Sequence, residues 1–166
     1  MDKRLSRISV VFLFLAAALF QMPAQGLAQG SEPETISSQE LDHWLKEGKD
    51  FLLFDARDRQ HYETSHIAGA ILPFRQEYYQ NLELYLLGVI PTPPDYGLDL
   101  AQAMKDYHKD KSIVTYCSDN CALSTTLQLK LKELGFKNVR VLKPGLDTWV
   151  SDGYPVEMDT SKNQKV

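Results

Sequence analysis

Residues 113–135 read IVTYCSDNCALSTTLQLKLKELG. The β-branched and aromatic run at 113–116 is typical of a buried strand. Leucines recur on one face of the segment that follows, which predicts a helix over 124–134 that ends at Gly135. The connection between them, residues 117–123, carries both cysteines of the chain. This stretch therefore predicts a strand, a short loop and a helix, with a thiol at the point where the strand ends.

The same alternation of strand and helix continues on both sides of this stretch. Further strands are predicted at 51–54, 67–72 and 139–142. Further helices are predicted over 58–63, 75–87, 98–107 and 146–150. Another helix begins at Ser37, where Glu40 three residues later completes a capping box. Apolar strands separated by helices favour a parallel sheet covered on both faces, which is an α/β fold.

Composition and charge exclude several classes of protein. The 166 residues suit one domain of ordinary size. The formal net charge is −4, so no basic excess is present to neutralise a phosphate backbone, and nucleic-acid binding is not expected. Two cysteines are too few for a disulfide-rich scaffold or a four-cysteine zinc site.

Residues 1–28 have the three parts of a secretory signal. Three basic residues within the first seven precede a stretch of 13 residues at 8–20 that is apolar except for Ser9. The small residues Gly26 and Ala28 then stand where a signal peptidase cleaves. A bilayer span needs about 20 apolar residues, so a membrane anchor is the weaker interpretation. We expect cleavage near Ala28 and a periplasmic or secreted protein without stable membrane insertion.

Cys117 follows directly on the strand at 113–116. In open α/β sheets, ligands bind beyond the carboxyl ends of the strands. A thiol at this point faces backbone N–H groups of the loop and the positive end of the next helix, and both lower its pKa. The alternative is that Cys117 is a small buried hydrophobic residue, as free cysteines often are.

Three segments in a fixed order carry a likeness to a known family. The first comprises LFDAR at 53–57 and HIAGAI at 66–71, the second is VTYC at 114–117, and the third runs from GFKNV at 135–139 to GYPV at 153–156. Together they resemble the Asp-x-Arg and His-Ile-x-Gly-Ala segments, the active-site strand and the C-terminal signature of the rhodanese-like sulfurtransferase domains. The match spans residues 35–157. Residues 29–34 are then expected to be a flexible leader and residues 158–166 a disordered tail.

The resemblance implies a three-layer fold with a five-stranded parallel sheet between helices. It also implies a sulfurtransferase in which Cys117 is catalytic and carries transferable sulfur as a persulfide. Asp55 and Arg57 would belong to a structural network below the active site, and His66 would be structural as well. The expected partners are a small sulfur donor and a thiol acceptor, which can be a protein thiol, and no metal or cofactor is expected.

The loop that starts at Cys117 departs from the family pattern. The fourth and sixth positions are commonly Gly and Arg, but here they are Asn120 and Ala122. Asn tolerates a left-handed backbone, whereas Ala122 removes the cation that would hold an anionic sulfur donor. Next to Ser118, Asp119 adds a negative charge that repels thiosulfate and opposes thiolate formation. No Lys or Arg occurs at 117–129, so weak activity with thiosulfate is expected.

Cys121 adds a second thiol to the loop, in a Cys-x-x-x-Cys arrangement. A curled loop can bring the two Cα atoms within roughly 7 Å, which permits a disulfide. Cys121 would then be a possible resolving thiol that discharges a persulfide on Cys117. Two other interpretations stay open: Cys121 is independent of Cys117, or the two thiolates bind a soft ion such as Cu(I), although no His lies in the loop to complete a site.

Two questions of function remain open at this point. Residues 74–107 hold five of the eight tyrosines, and this segment is either a lid or partner surface near the loop or an enlarged helical cover over the sheet. The sulfurtransferase hypothesis also has two rivals. One is a non-catalytic binding module that keeps the fold without the loop arginine, and the other is a thiol-disulfide redox protein that uses Cys117 and Cys121.

Overall fold

A computed structural model describes residues 33–159. The strands are β1 (Thr35–Ile36), β2 (Phe51–Asp55), β3 (His66–Ile67), β4 (Ser112–Tyr116), β5 (Asn138–Leu142) and β6 (Val156–Glu157). The helices are α1 (Ser38–Lys46), α2 (Arg59–Thr64), α3 (Gln76–Leu86), α4 (Tyr96–Met104), α5 (Leu123–Glu133) and α6 (Leu146–Ser151). The predicted signal at 1–28 and most of the predicted leader and tail lie outside the described residues. No helix within 33–159 is long and apolar enough to cross a membrane.

The main sheet has four strands in the order β1-β5-β4-β2, and all of its pairs are parallel. Helices cover both faces, as the sequence predicts. One face holds an apolar cluster that includes Tyr116 and Trp149. The other holds a cluster that includes Leu127 of α5 and Phe136. The alternation of apolar strands and helices therefore produces the expected α/β fold, with β4 in the middle of the sheet.

The strand expected at 67–72 is reduced to a single bridge, so the sheet has four strands and not the five that the resemblance implies. The chain turns at Gly69, where φ is 77° and the Ala70 N–H donates to the Ile67 carbonyl at 2.9 Å. Only Ile71 then pairs with β2, as a parallel bridge to Phe54. The residues before the turn form β3 instead, which pairs antiparallel with β6. The expected strand count is thus wrong by one among the described residues, because the turn at Gly69 interrupts the strand.

Capping residues set the helix boundaries. The Ser37 hydroxyl accepts from the Glu40 N–H at 3.2 Å and so begins α1 as predicted. The Glu40 carboxylate does not complete a reciprocal box but accepts a hydrogen bond from Arg140 at 2.7 Å. Asp95 caps α4 by accepting from the Leu98 N–H at 2.9 Å, so this helix begins two residues before the predicted start at 98.

The two ends of the described chain are held by the fold. The Glu34 carbonyl, which the sequence assigns to the leader, accepts from the Val141 N–H at 2.8 Å and from the Gln128 amide at 3.0 Å. Asp159, assigned to the tail, donates its N–H to the Glu63 carbonyl at 3.0 Å. Backbone pairing therefore extends one residue past the predicted domain at the start, to Glu34, and two residues past it at the end, to Asp159.

The segment at 74–107 packs as a cover through an aromatic cluster. Phe74 stacks on Tyr78 with ring centroids 4.0 Å apart, and Tyr96 meets Phe74 edge-on at 4.8 Å. Burial raises the pKa of Tyr96 to about 12. These contacts favour the helical-cover interpretation for the aromatic part of the segment. The far end of α3 is different, since Leu86 and Leu87 are exposed.

Candidate active site

Cys117 lies directly beyond the carboxyl end of β4, between the ends of β2 and β5. Its side chain is 2% exposed. The Sγ atom lies 3.5 Å from the hydroxyl of Ser124, in the first turn of α5, and 3.4 Å from the Ser118 carbonyl oxygen. Ser124 is itself buried, and its carbonyl accepts from Thr115 at 2.9 Å. The sequence analysis missed Ser124, since a serine at a helix start reads as ordinary capping chemistry.

A disulfide joins Cys117 to Cys121, and their Cα atoms are 6.1 Å apart. This bond agrees with the interpretation in which the two cysteines are coupled. No free cysteine remains within residues 33–159. In that range, no group of three or more His, Cys, Asp or Glu side chains is arranged to hold a metal ion. The two sulfurs are therefore partners of each other in this state.

The curl of the loop brings the two cysteines together. Asn120 adopts a φ of 57°, in the left-handed region that its short polar side chain tolerates. The Cys121 N–H donates to the Ser118 carbonyl at 3.3 Å, which closes a turn. The Leu123 N–H, the first amide of α5, donates to the Cys121 sulfur at 3.4 Å. The helix N-terminus was expected to act on Cys117, but its first amide contacts Cys121.

The Asp119 carboxylate is tied to the start of α6. One oxygen accepts from the Thr148 N–H at 3.3 Å, and the other accepts from the Thr148 hydroxyl at 2.5 Å. The Asp119 N–H in turn donates to the Asp147 carboxylate at 2.9 Å. Asp119 thus has a capping role that the sequence analysis missed, because its partner is 29 residues away. Two carboxylates therefore lie at this loop, that of Asp119 within it and that of Asp147 in α6, and Ala122 at the end of the loop is exposed.

Gly145 lets the β5–α6 turn approach the loop closely. A Cβ atom at this position would lie 2.7 Å from the Asp119 carboxylate, 2.9 Å from the Cys117 carbonyl oxygen and 3.0 Å from the Asp119 nitrogen. The Cys117 carbonyl also accepts from the Leu146 N–H at 2.9 Å. The active loop and the start of α6 therefore pack directly against each other. Glycine is required at position 145 because no space is left there for a Cβ atom.

Asp55 and Arg57 form a buried ion pair at the end of β2. The Arg57 guanidinium donates to the Asp55 carboxylate at 2.6 Å and to the Ser65 carbonyl at 2.5 Å. Asp55 is fully buried and the Arg57 side chain is 11% exposed. Burial acts to lower the pKa of Arg57, but the Asp55 carboxylate outweighs it, so the net shift is upward. The pair fixes the turn after β2 against the segment that leads into β3.

Tyr116 connects this pair to β3. Its hydroxyl accepts from the Ile67 N–H at 3.1 Å. The pKa of Tyr116 is raised, first by burial and then by the negative charge of Asp55. His66 lies close by, where its Nδ1 is 2.8 Å from the Tyr62 carbonyl oxygen and its ring stacks on Tyr62 at 3.9 Å. His66 is therefore engaged by β3 and α2 and has no described contact with either cysteine.

Comparison with known proteins identifies the family to which this fold and its loop are similar. The family model for the rhodanese-like domain matches residues 37–152. Among curated proteins, the chain is similar to the probable adenylyltransferase/sulfurtransferase MoeZ of Mycobacterium tuberculosis, with 24% identity over 132 residues. The match covers 80% of this chain but spans only 28% of the length of that relative.

Solved structures show the same fold. The BH2092 protein from Bacillus halodurans is 25% identical, with a TM-score of 0.57 and coverage of 76% of this chain and 78% of that one. The rhodanese-like domain of the Alr3790 protein from Anabaena sp. is also 25% identical, with a TM-score of 0.55 and coverage of 81% and 86%. A family model that matches most of the chain, with these structural neighbours, shows that the protein belongs to the rhodanese-like domain family.

Proposed function

We propose that this protein is a sulfurtransferase in which Cys117 carries sulfane sulfur as a persulfide. The observation that carries the proposal is the position of Cys117, at the carboxyl end of the central strand β4 and at the start of a closed loop. This is where α/β sheets bind their ligands. The similarity to a curated adenylyltransferase/sulfurtransferase supports the same class of reaction.

The reaction begins from the reduced loop. The Cys117 thiolate attacks the sulfane sulfur of a donor, the bond between that sulfur and the donor breaks, and the donor leaves with the electron pair. The Ser124 hydroxyl, 3.5 Å from the Cys117 sulfur, can donate to the thiolate and stabilise it. A thiol acceptor, including a protein thiol, then attacks the outer sulfur and regenerates Cys117.

The charges around the loop favour donors other than thiosulfate. Ala122 offers no cation, and residues 117–129 contain no Lys or Arg. The carboxylates of Asp119 and Asp147 both approach the loop, so a dianion that enters it meets repulsion. An alkyl persulfide carries at most one negative charge on its two sulfurs, so it meets less repulsion than the thiosulfate dianion.

Intact mass spectrometry tests the proposal. The Cys121→Ser variant, reduced and treated with an alkyl persulfide, should gain about 32 Da on Cys117 as a persulfide. The Cys117→Ser variant, treated in the same way, should gain no sulfur. A binding module would take up no sulfur in either variant, and that result would contradict the proposal.

A thiol-disulfide redox protein is the second candidate, and the disulfide between Cys117 and Cys121 favours it. A redox protein of this kind would exchange its disulfide with an external dithiol and would not carry an added sulfur atom. The two candidates therefore differ in the Cys121→Ser variant, which gains sulfur only if the chain is a sulfurtransferase.

We further propose that the protein works outside the cytoplasm after residues 1–28 are removed as a signal. A disulfide in the active loop agrees with an oxidising compartment. N-terminal sequencing of protein recovered from the extracytoplasmic fraction should begin near Leu27 or Gln29. Recovery of the chain with Met1 retained in a membrane fraction would contradict secretion.

A further inference from the structure

We infer that Cys121 resolves the persulfide on Cys117 and makes this protein release sulfide from sulfane donors. The inference rests on the proposed Cys117 persulfide and adds a second activity to the same loop. It does not require an acceptor thiol from another molecule to remove the sulfur. The basis is the way in which the loop holds the two sulfur atoms.

The loop holds the two cysteines at bonding distance. Their Cα atoms are 6.1 Å apart, within the range of ordinary disulfides, and the sulfurs are bonded. The left-handed Asn120 and the turn from Cys121 to Ser118 produce this approach by backbone geometry. Cys121 can therefore reach the inner sulfur of a persulfide on Cys117 without a rearrangement of the fold.

The two sulfurs have different surroundings, and the difference suits different roles. The Leu123 N–H at the start of α5 donates to Cys121 and favours its thiolate, which is the attacking form. Cys117 is 2% exposed, and its sulfur lies 3.5 Å from the Ser124 hydroxyl. Burial slows the approach of external molecules to Cys117, whereas Cys121 lies inside the same loop and reaches Cys117 without entering from solvent.

The reaction balances with one donor and two thiols. First, the Cys117 thiolate takes the outer sulfur of a persulfide RSSH and releases RS⁻. Then the Cys121 thiolate attacks the Cys117 Sγ, the bond to the outer sulfur breaks, and that sulfur leaves as HS⁻ with the electron pair. The products are the Cys117–Cys121 disulfide, RS⁻ and HS⁻. The sulfane sulfur is reduced to sulfide, and the two cysteine thiols are the reductant.

A new cycle requires an external dithiol, which reduces the disulfide and is itself oxidised to a disulfide. Cys121 is partly exposed whereas Cys117 is buried, so the dithiol attacks Cys121 and Cys117 leaves as a thiolate. In reactions with oxidised glutathione, Cys117→Ser should then form the mixed disulfide faster than Cys121→Ser. The reverse order would overturn this direction of attack.

A single-turnover experiment tests sulfide release. The wild-type full chain and the Cys121→Ser variant are reduced, freed of reductant and mixed with one equivalent of cysteamine persulfide, whose ammonium group balances the charge of the ionised persulfide. The wild type should release about one sulfide per chain and lose about 2 Da as the disulfide forms. Cys121→Ser should keep about 32 Da on Cys117 and release at least about tenfold less sulfide. Thr126→Ala, exposed in the first turn of α5, is the matched control and should behave as the wild type.

The outcomes separate the two proposals. Equal sulfide release and equal persulfide in wild type and Cys121→Ser would overturn the role of Cys121 and leave Cys117 as a lone sulfur carrier. A lack of added sulfur in Cys121→Ser would overturn the Cys117 persulfide itself. If Cys121→Ser does not fold, Cys121→Ala takes its place. The wild type is also decisive alone, because a stable gain of about 32 Da would exclude resolution by Cys121.

Discussion

The turn after β2 and the loop after β4 lie side by side at the carboxyl end of the sheet. The first holds its charged groups in an ion pair, and the second holds its thiols in a covalent bond. Asp55 and Tyr116, the last residues of the two strands, are paired in register. After β2, a buried guanidinium and a buried carboxylate neutralise each other. After β4, two sulfurs are joined by a covalent bond that a reductant can open.

This difference indicates which groups are available for chemistry. Arg57 donates to the Asp55 carboxylate and to the Ser65 carbonyl, so its charge is neutralised within the turn after β2 and is not available to the loop. The loop after β4 retains backbone N–H groups, a serine hydroxyl and two carboxylates. It is therefore better suited to thiols and singly charged sulfane donors than to a dianion such as thiosulfate, whereas the neighbouring turn stabilises the fold.

The largest expected effect concerns the buried pair. Asp55→Asn leaves the Arg57 charge without its partner in a site where Asp55 is fully buried. We expect a loss of about 3 kcal/mol in the free energy of unfolding, at the low end for a broken buried pair because Arg57 keeps some solvent contact. Urea denaturation monitored by circular dichroism measures this loss.

The matched control for this prediction is an exposed pair. Asp50 lies 90% exposed and pairs with Lys111, so Asp50→Asn should cost less than about 1 kcal/mol. If Asp55→Asn lowers the free energy of unfolding no more than this control does, the Asp55–Arg57 pair does not stabilise the fold. The turn after β2 would then not have the structural role that distinguishes it from the loop.

The next effect concerns the packing between the loop and α6. Gly145→Ala places a Cβ against backbone atoms of Cys117 and Asp119, at 2.9 and 3.0 Å, and these cannot move independently of the loop. We expect a loss of about 1–3 kcal/mol from overpacking and slower closure of the Cys117–Cys121 disulfide. Thermal unfolding and the rate of reoxidation after reduction measure the two effects.

Gly97→Ala is the control for backbone substitution. This glycine lies in the first turn of α4, and an added Cβ would be 3.6 Å from the Asp95 carboxylate, an ordinary contact. The substitution should be neutral or stabilise by about 0.5–1 kcal/mol, because alanine is the better helix former. Equal losses of stability from both substitutions would mean that the close packing at Gly145 does not stabilise the loop.

Local signals were sufficient to predict most of the fold from the sequence. Ser37 caps helix α1 as predicted, and α3 covers 76–86 within the predicted 75–87, because a side-chain cap in the first case and apolar periodicity in the second act within a few residues. Strands β1 and β6 have two residues each, which is too short for a periodic pattern. The strand at 67–72 was overpredicted, since a run of apolar residues does not show that the chain turns at Gly69.

The candidate site was predictable in its residues but less so in its contacts. The position of Cys117 follows from the strand that precedes it, and the left-handed Asn120 follows from its side chain. The capping of α6 by Asp119 joins residues 29 apart, which no local pattern indicates. The same limit applies to the disulfide, because its formation depends on how the loop curls and not on the spacing alone.

The smallest expected effect tests the charge of the loop. Ala122 is exposed at the N-cap of α5, and Ala122→Arg adds the cation that the loop lacks. Attraction between an exposed guanidinium and thiosulfate is expected to be worth about 1 kcal/mol, or roughly a fivefold fall in KM at low salt. The gain should shrink as ionic strength rises, because salt screens exposed charges. Steady-state thiosulfate:cyanide assays at two salt concentrations measure both effects.

Ala122→Gln separates charge from size in this test, since glutamine adds a long polar side chain without a charge. We expect it to leave the KM for thiosulfate within about twofold of the wild type, because no Coulomb attraction is added. Equal gains from Arg and Gln would show that bulk at the loop, and not its charge, limits thiosulfate. High thiosulfate activity in the wild type would likewise contradict the contrast, since the loop would then hold an anion without the cation that Ala122 replaces.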